Sequence, residues 1–314
     1  MGSYILRRLF MLIPVFFVVA AVSFSILHLI PGNPAALMLG MDATPEQIEA
    51  LTRELGLDKP ILEQFVLWIK NLLKGDLGNS YFTNEPVLNI ILQKMPVSFS
   101  IAILAELVAI ILAIPLGVFS AVKHNTIYDQ VLMTFAVLGI SLPGFWVAIM
   151  FILIFSVLLR WFPTQGYVPM TKGFWVWLRH LILPAVALGI NHAGLIARMT
   201  RSSMLEVLSS DFVRTLRSKG LPESNVVFNH SLKNSIIPVV TVIGLSFAAL
   251  LGGALIVETV FALPGMGRLM LSSIQRRDYP VIQGILIIIA SICVIINLLI
   301  DLIYVYLDPR IKYN

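Results

Sequence analysis

Residues 204–238 read MLEVLSSDFVRTLRSKGLPESNVVFNHSLKNSIIP. This stretch is polar and basic, and long apolar runs flank it on both sides. It sets Arg214, Arg217, Lys219 and Lys233 against Glu206, Asp211 and Glu223. Phe212, Val213 and Leu216, at i, i+1 and i+4, predict an apolar stripe on a short helix, with Arg214 and Arg217 on another face. Gly220 suits a C-terminal cap, and Pro222 cannot continue the helix before it but fits the first turn of the next. Two short helices about a break at Gly220-Leu221-Pro222 are therefore expected. Such a pair between two membrane spans is more ordered than a connector needs to be, and it predicts a surface that another protein grips.

Outward from this island the chain is apolar. Of its 314 residues 58% are hydrophobic and only 12% charged, against about a quarter charged in soluble domains. The mean hydropathy is +0.90. An all-α polytopic membrane protein is expected. The sequence pI near 9.4 does not call for nucleic acid, because the basic residues lie in loops beside apolar runs and follow topology instead. Cys293, the single cysteine, lies in an apolar run and has no intrachain partner.

Six spans are expected: Leu9–Ile30, then about 97–121, 133–159, 181–199, 236–258 and 281–306. Leu9–Ile30 lacks a small-residue cleavage site and reads as an uncleaved first span. Pro115 and Pro143 fall inside spans, where neighbouring helices can satisfy the freed backbone groups. Residues 31–96 form an external helical subdomain, with Thr44-Pro45-Glu46-Gln47 opening one helix. A second helix near Pro60–Leu73 carries Ile61, Phe65, Trp68, Ile69 and Leu72 at helical spacing. The remaining organisation is a five-helix core over 97–306, holding the loop 200–235, and a tail over 307–314. Setting aside the long 31–96 segment, which translocates regardless of charge, 11 basic residues lie inside and 6 outside if the N-terminus is inside. Both termini and the island are thus expected on the cytoplasmic side.

No complete catalytic motif is present: no GxxxxGK[ST], no HExxH and no CxxC. Ser141 and His192 lie within spans, as in intramembrane serine proteases, but Leu142-Pro143 follows the serine where such enzymes carry glycine. A serine hydroxyl bonded to its own helix is the plainer reading. A secondary transporter would show two repeated halves, and none is visible. The polar residues inside spans include Glu106, Asn191, His192, Glu258, Asn297 and Asp301. Such groups line a pathway or bond helix to helix; the pathway candidates are Glu106, Ser141, Asn191 and His192. Phe261–Leu269, apolar but broken by proline and glycines, is expected to be irregular, and Asp278 to cap the last span.

Several stretches together resemble a known family. They are Tyr4–Leu9 with Ile30–Pro34, Leu55–Pro60, Gly75–Gly78, Ala197–Met204, Asp211–Gly220, His230–Asn234, Leu263–Arg268 and Arg277–Gln283. Over nearly its whole length the chain resembles the first of the two paired permeases of bacterial peptide-type ABC importers, the dipeptide, oligopeptide, glutathione and nickel group. The resemblance implies a type I importer permease fold in the bacterial inner membrane, which is not itself an enzyme. Its implied partners are a second permease, one or two ATPase subunits that bind ATP and Mg, an external substrate-binding protein, and membrane lipid. It also implies that the helix of Asp211, Phe212, Val213, Arg214, Thr215, Leu216, Arg217, Ser218, Lys219, Gly220 and Leu221 couples to the ATPase. Gly220 matches the glycine of the family's EAA loop. The EAA positions fall on Arg214-Thr215-Leu216, so the family's glutamate is absent and Leu216 stands for an alanine.

Overall fold

Thr44 accepts a hydrogen bond from the Gln47 amide and gives its own amide to the Gln47 side chain, at 3.0 Å. This reciprocal cap starts the helix Pro45–Glu54 where the sequence predicts it. The computed structural model describes residues 14, 16–25, 34–40 and 43–307. Arg7, Arg8, most of the ends of the first expected span, and the tail beyond Leu307 lie outside the described residues. The helices are α1 (Phe16–Ser25), α2 (Pro34–Leu39), α3 (Pro45–Glu54), α4 (Ile61–Leu73) and α5 (Val87–Val122). They continue as α6 (Ile127–Ser141), α7 (Gly144–Phe151), α8 (Phe174–Leu208), α9 (Asp211–Ser218), α10 (Leu232–Val260), α11 (Met266–Arg276) and α12 (Tyr279–Leu307). Wider π-helical turns extend α7 through Ile152–Leu158 and precede α10 over Asn225–Ser231.

Among the described residues there is no strand, and 4 helices are long and apolar enough to cross a membrane: α5, α8, α10 with its π turn, and α12. The α6–α7 pair, bent by 99° at its break, makes a fifth if its two helices count as one span. Here the structure corrects an expectation. Pro143 does not lie inside one continuous helix. It forces Leu142 into extended backbone, with φ −77° and ψ 131°, and the helix stops and restarts in a new direction. Pro115, by contrast, lies within the continuous α5. The last loop is also more regular than expected: Phe261–Gly265 is a short turn, and α11 begins at Met266, which is buried with Ser273.

The chain forms two compact units. One comprises residues 1–96 and 265–295. In it the apolar stripe of α4 meets α1: Phe65 lies 5.2 Å and Trp68 5.9 Å from the Phe24 ring, centre to centre. Asp278, before α12, accepts the Ser80 hydroxyl at 2.5 Å and the Tyr81 amide at 3.1 Å. Burial pushes the Asp278 carboxyl above its usual range, against those hydrogen bonds. Burial, with Asp278 nearby, likewise raises the Tyr81 phenol to about 12.

The other unit comprises residues 97–264 and 296–314. Its centre is α8, which packs on α6, α7 and α10. A cluster of Ala109 and Ala113 from α5, Ala136 from α6, Ala193, Ile196 and Ala197 from α8, and Val239 from α10 fills the contact. Small residues let the backbones close in. A Cβ on Gly189 would lie 2.6 Å from the Ala105 carbonyl oxygen, and one on Gly117 would lie 2.7 Å from that of Ala197. A Cβ on Gly194 would collide with the Ala136 carbonyl.

Gly189→Ala should therefore force α5 and α8 apart and cost ~1–3 kcal/mol, the usual range for overpacking. Gly252→Ala on α10, which has open space around it, should leave stability unchanged or slightly higher. Thermal unfolding of both variants in detergent checks this; equal midpoints would contradict the close-packing account.

Candidate functional site

The island between α8 and α10 is built as a short helix with a brace across its break. α8 ends at Leu208, and only Ser209 and Ser210 separate it from α9. Both hydroxyls turn back onto α8, Ser209 to the Glu206 carbonyl at 2.9 Å and Ser210 to Val207 at 2.6 Å. At the far end the Leu221 amide reaches the Leu216 carbonyl at 3.4 Å and the Gly220 amide reaches Arg217 at 3.0 Å. That pair of bonds is a Schellman closure, which needs left-handed backbone at the residue after the cap. Gly220 supplies it, with φ +77°.

Across the break Arg217 presents its guanidinium fork to Glu223, Nε to Oε2 at 3.1 Å and Nη2 to Oε1 at 2.6 Å. The Arg217 guanidinium holds the Glu223 carboxyl below its usual range. The brace is about half exposed, so it fixes geometry more than it adds stability.

The apolar stripe expected on α9 divides. Val213 is fully buried and Leu216 half-buried, but Phe212 is 48% exposed, with its ring edge-on to His230 at 6.3 Å. The free face carries Asp211, Arg214, Thr215 and Ser218, at i, i+3, i+4 and i+7. Asp211 and Arg214 pair at 3.1 Å in full solvent. Thr215 and Ser218 bond back to the helix carbonyls of Asp211 and Arg214. α9 packs on the π turn of Asn225–Ser231, whose Val227 clusters with Val118 and Ala121 of α5 and Met204 of α8. The helix is held from the rear and open in front.

The intramembrane polar candidates separate into different roles. Glu106 on α5 and His192 on α8 are brought together by Ser246 on α10. The Ser246 hydroxyl lies 2.9 Å from Glu106 Oε2 and 2.8 Å from His192 Nδ1. Both Glu106 and Ser246 are buried, and Glu106 Oε1 has no hydrogen-bond partner among the described residues. A serine hydroxyl carries one proton, so two hydrogen bonds require a second, on His192 Nδ1 or on Glu106. Ser246 was not legible beforehand; one serine among many reveals its partners only when three helices meet. Asn191 donates to the carbonyls of Gly139 at 3.1 Å and Leu142 at 3.0 Å, satisfying the end of α6 at the break. The Ser141 hydroxyl bonds the Val137 carbonyl of its own helix at 2.9 Å. A second buried carboxylate, Glu258, accepts Ser98 at 2.5 Å.

Ser246→Ala should strand buried polar atoms on α5 and α8 and cost ~1 kcal/mol, since hydrogen bonds between membrane helices are individually modest. Unfolding midpoints of Ser246→Ala and Ser246→Thr, the second of which keeps the hydroxyl, measure it; an equal loss in both would mean that volume, not the hydrogen bonds, matters there.

Comparison with known proteins gives consistent matches. Residues 113–313 match the family model described as binding-protein-dependent transport system inner membrane component, and residues 1–102 match the model of its N-terminal membrane component. The dipeptide transport system permease protein of Alkalihalophilus pseudofirmus is 44% identical, with 100% of both chains covered. A putative peptide transport system permease protein of Brucella abortus is 43% identical, also with 100% of both chains covered. The glutathione transport system permease protein of Escherichia coli is 41% identical over the same full coverage. Among solved structures, the MetNI methionine ABC transporter in inward-facing conformations superposes with TM-score 0.60 at 16% identity, covering 71% of this chain and 99% of that one. That likeness concerns the fold alone.

Proposed function

The chain belongs to the family of binding-protein-dependent transport system inner membrane components, and from that membership we propose that it is a permease subunit of an ATP-driven importer, forming half of a pathway for peptides. Dipeptides and oligopeptides are the proposed cargo, delivered by an external binding protein. A second, homologous permease supplies the other half of the pathway. One or two ATPase subunits hold ATP and Mg and do the hydrolysis, so this chain is not itself the enzyme. The full-length likeness to peptide and dipeptide permeases supports the cargo class. The glutathione permease relative at 41% identity favours a second reading, glutathione as cargo, with the same machinery.

The observation that carries the coupling role is the construction of α9. A short helix is capped at its far end, braced across its break by Arg217 and Glu223, packed from behind by Val213, and left open along Asp211, Arg214, Thr215 and Ser218. That suits a part gripped by a neighbour and moved as a rigid piece. In this reading both termini and the island are cytoplasmic, as the basic residues of the short loops indicate, and residues 31–96 lie outside. When two ATPases close on ATP, the α9 helices of the two permeases are drawn together and the spans re-pack. Glu106, Ser141, Asn191 and His192 remain the proposed polar groups of the pathway region. Ser246 ties Glu106 and His192 to α10, and Asn191 supports the α6 break.

Tagged chain purified gently from its host should bring down a second permease and an ATPase. Reversing the outer face with Asp211→Arg and Arg214→Glu should leave membrane insertion intact. It should lower ATPase recovery and peptide uptake by about tenfold or more, the loss typical of an interface anchor. A stable chain that purifies alone, or full uptake by the reversed variant, would sink the coupling role.

A further inference from the structure

Asp129 opens α6 and is buried, yet it is surrounded by donors. Arg201 of α8 gives it a fork, Nε to Oδ1 at 2.7 Å and Nη2 to Oδ2 at 2.6 Å. Ser120 of α5 donates to Oδ1, and the Asn125 amide donates to Oδ2 at 3.1 Å. His124 Nδ1 lies 3.4 Å from Asp129 Oδ2 and 3.1 Å from Arg201 Nη2. A bidentate guanidinium–carboxylate pair fixes direction as well as distance. Arg201 lies seven residues before the end of α8 at Leu208, about 10 Å along the helix, and the serine-fastened joint leads from there into α9.

The same two helices are joined again at the other end of α6. Asn191 of α8 holds the carbonyls of Gly139 and Leu142. Between the two ends Gly194 lets α8 approach the Ala136 carbonyl with no room for a Cβ. Apolar contacts can slide; a fork at one end and an amide on two carbonyls at the other cannot. Beyond the second tether stands the 99° break at Leu142-Pro143, after which α7 leaves in a new direction.

We infer that Arg201 and Asp129 are positioning residues that make α6 and α8 move as one body, so that displacement of α9 is delivered to the α6–α7 break. This rests on the reading of α9 as the ATPase-gripped helix. The break is then the hinge where a push on the island becomes a change of direction within the membrane. Arg201 belongs to the Ala197–Met204 stretch, whose polar residues have no other assigned task in the coupling.

The test uses the full chain in its complex, on a Cys293→Ser background, with spin labels at Phe135→Cys on α6 and Leu195→Cys on α8, both exposed. Short-range spin–spin broadening is read for the isolated chain and for the complex, without nucleotide and with a non-hydrolysable ATP analogue. The expected result is one narrow α6–α8 separation, unchanged by nucleotide. Arg201→Lys keeps the charge but loses the fork, and the Asp129→Asn/Arg201→Gln double variant removes the pair without stranding a charge. Both should broaden the separation and lower cargo moved per ATP by about tenfold, within the range of coupling between linked sites. Hydrolysis itself should stay within about twofold of wild type.

Variants with a narrow separation, or with wild-type cargo per ATP, overturn the inference, as does a wild-type separation that shifts with nucleotide. The isolated-chain widths test the tether without any ATPase. A wild-type chain that recruits no ATPase therefore fails the importer reading, while the α6–α8 claim is still decided by those widths.

Discussion

Inside hydrocarbon two apolar helices gain nothing by hiding from water, since lipid tails are as apolar as leucine. What remains is close backbone approach and hydrogen bonding between helices. The second unit depends on that constraint, and α8 is where it is met. Gly189 admits the α5 backbone at Ala105, Gly194 admits α6 at Ala136, and Ala193 and Ala197 line the seam between them. On the same helix Asn191, His192 and Arg201 reach α6, α10 through Ser246, and α6 again. Small residues set the spacing, and the polar residues set the register.

The carboxylates buried on those helices are answered on a different helix, while the buried Thr200 and Ser235 hydroxyls bond back to their own helices; Glu106 Oε1 and the Ser231 hydroxyl have no partners among the described residues. Glu258 takes Ser98, Glu106 takes Ser246, and the carbonyls freed at Pro143 take Asn191. An uncompensated polar group at that depth costs several kcal/mol. A break in a membrane helix therefore persists where a neighbour supplies donors, and Asn191 stands beside the break at Leu142-Pro143.

The island follows a different rule because water can reach it. Its surface pairs, Asp211–Arg214 and Arg217–Glu223, add little stability. Stiffness comes instead from the two-serine joint, the Schellman closure at Gly220 and the buried Val213. The short helix is joined to α8 by two residues whose hydroxyls bond back to α8.

Much of this was legible without coordinates. The apolar runs announce membrane helices, because nothing else hides so many such residues in stretches about 20 long. Thr44 with Gln47, and Gly220 before Pro222, announce helix ends through backbone chemistry acting over three or four residues. The ordered island stood out by its charge alone. Tertiary structure decided the rest. Pro143 is tolerated or breaks a helix depending on what stands beside it, so Asn191, forty-eight positions away, belongs to the outcome. The stripe of Phe212, Val213 and Leu216 divides because only the packing of the π turn says which side of α9 is the rear. Ser246 meets Glu106 and His192, and Asp129 meets Arg201, across separations of 140, 54 and 72 residues. Periodicity fixes which residues share one helix face; which faces of different helices meet is settled only when the backbones close against one another.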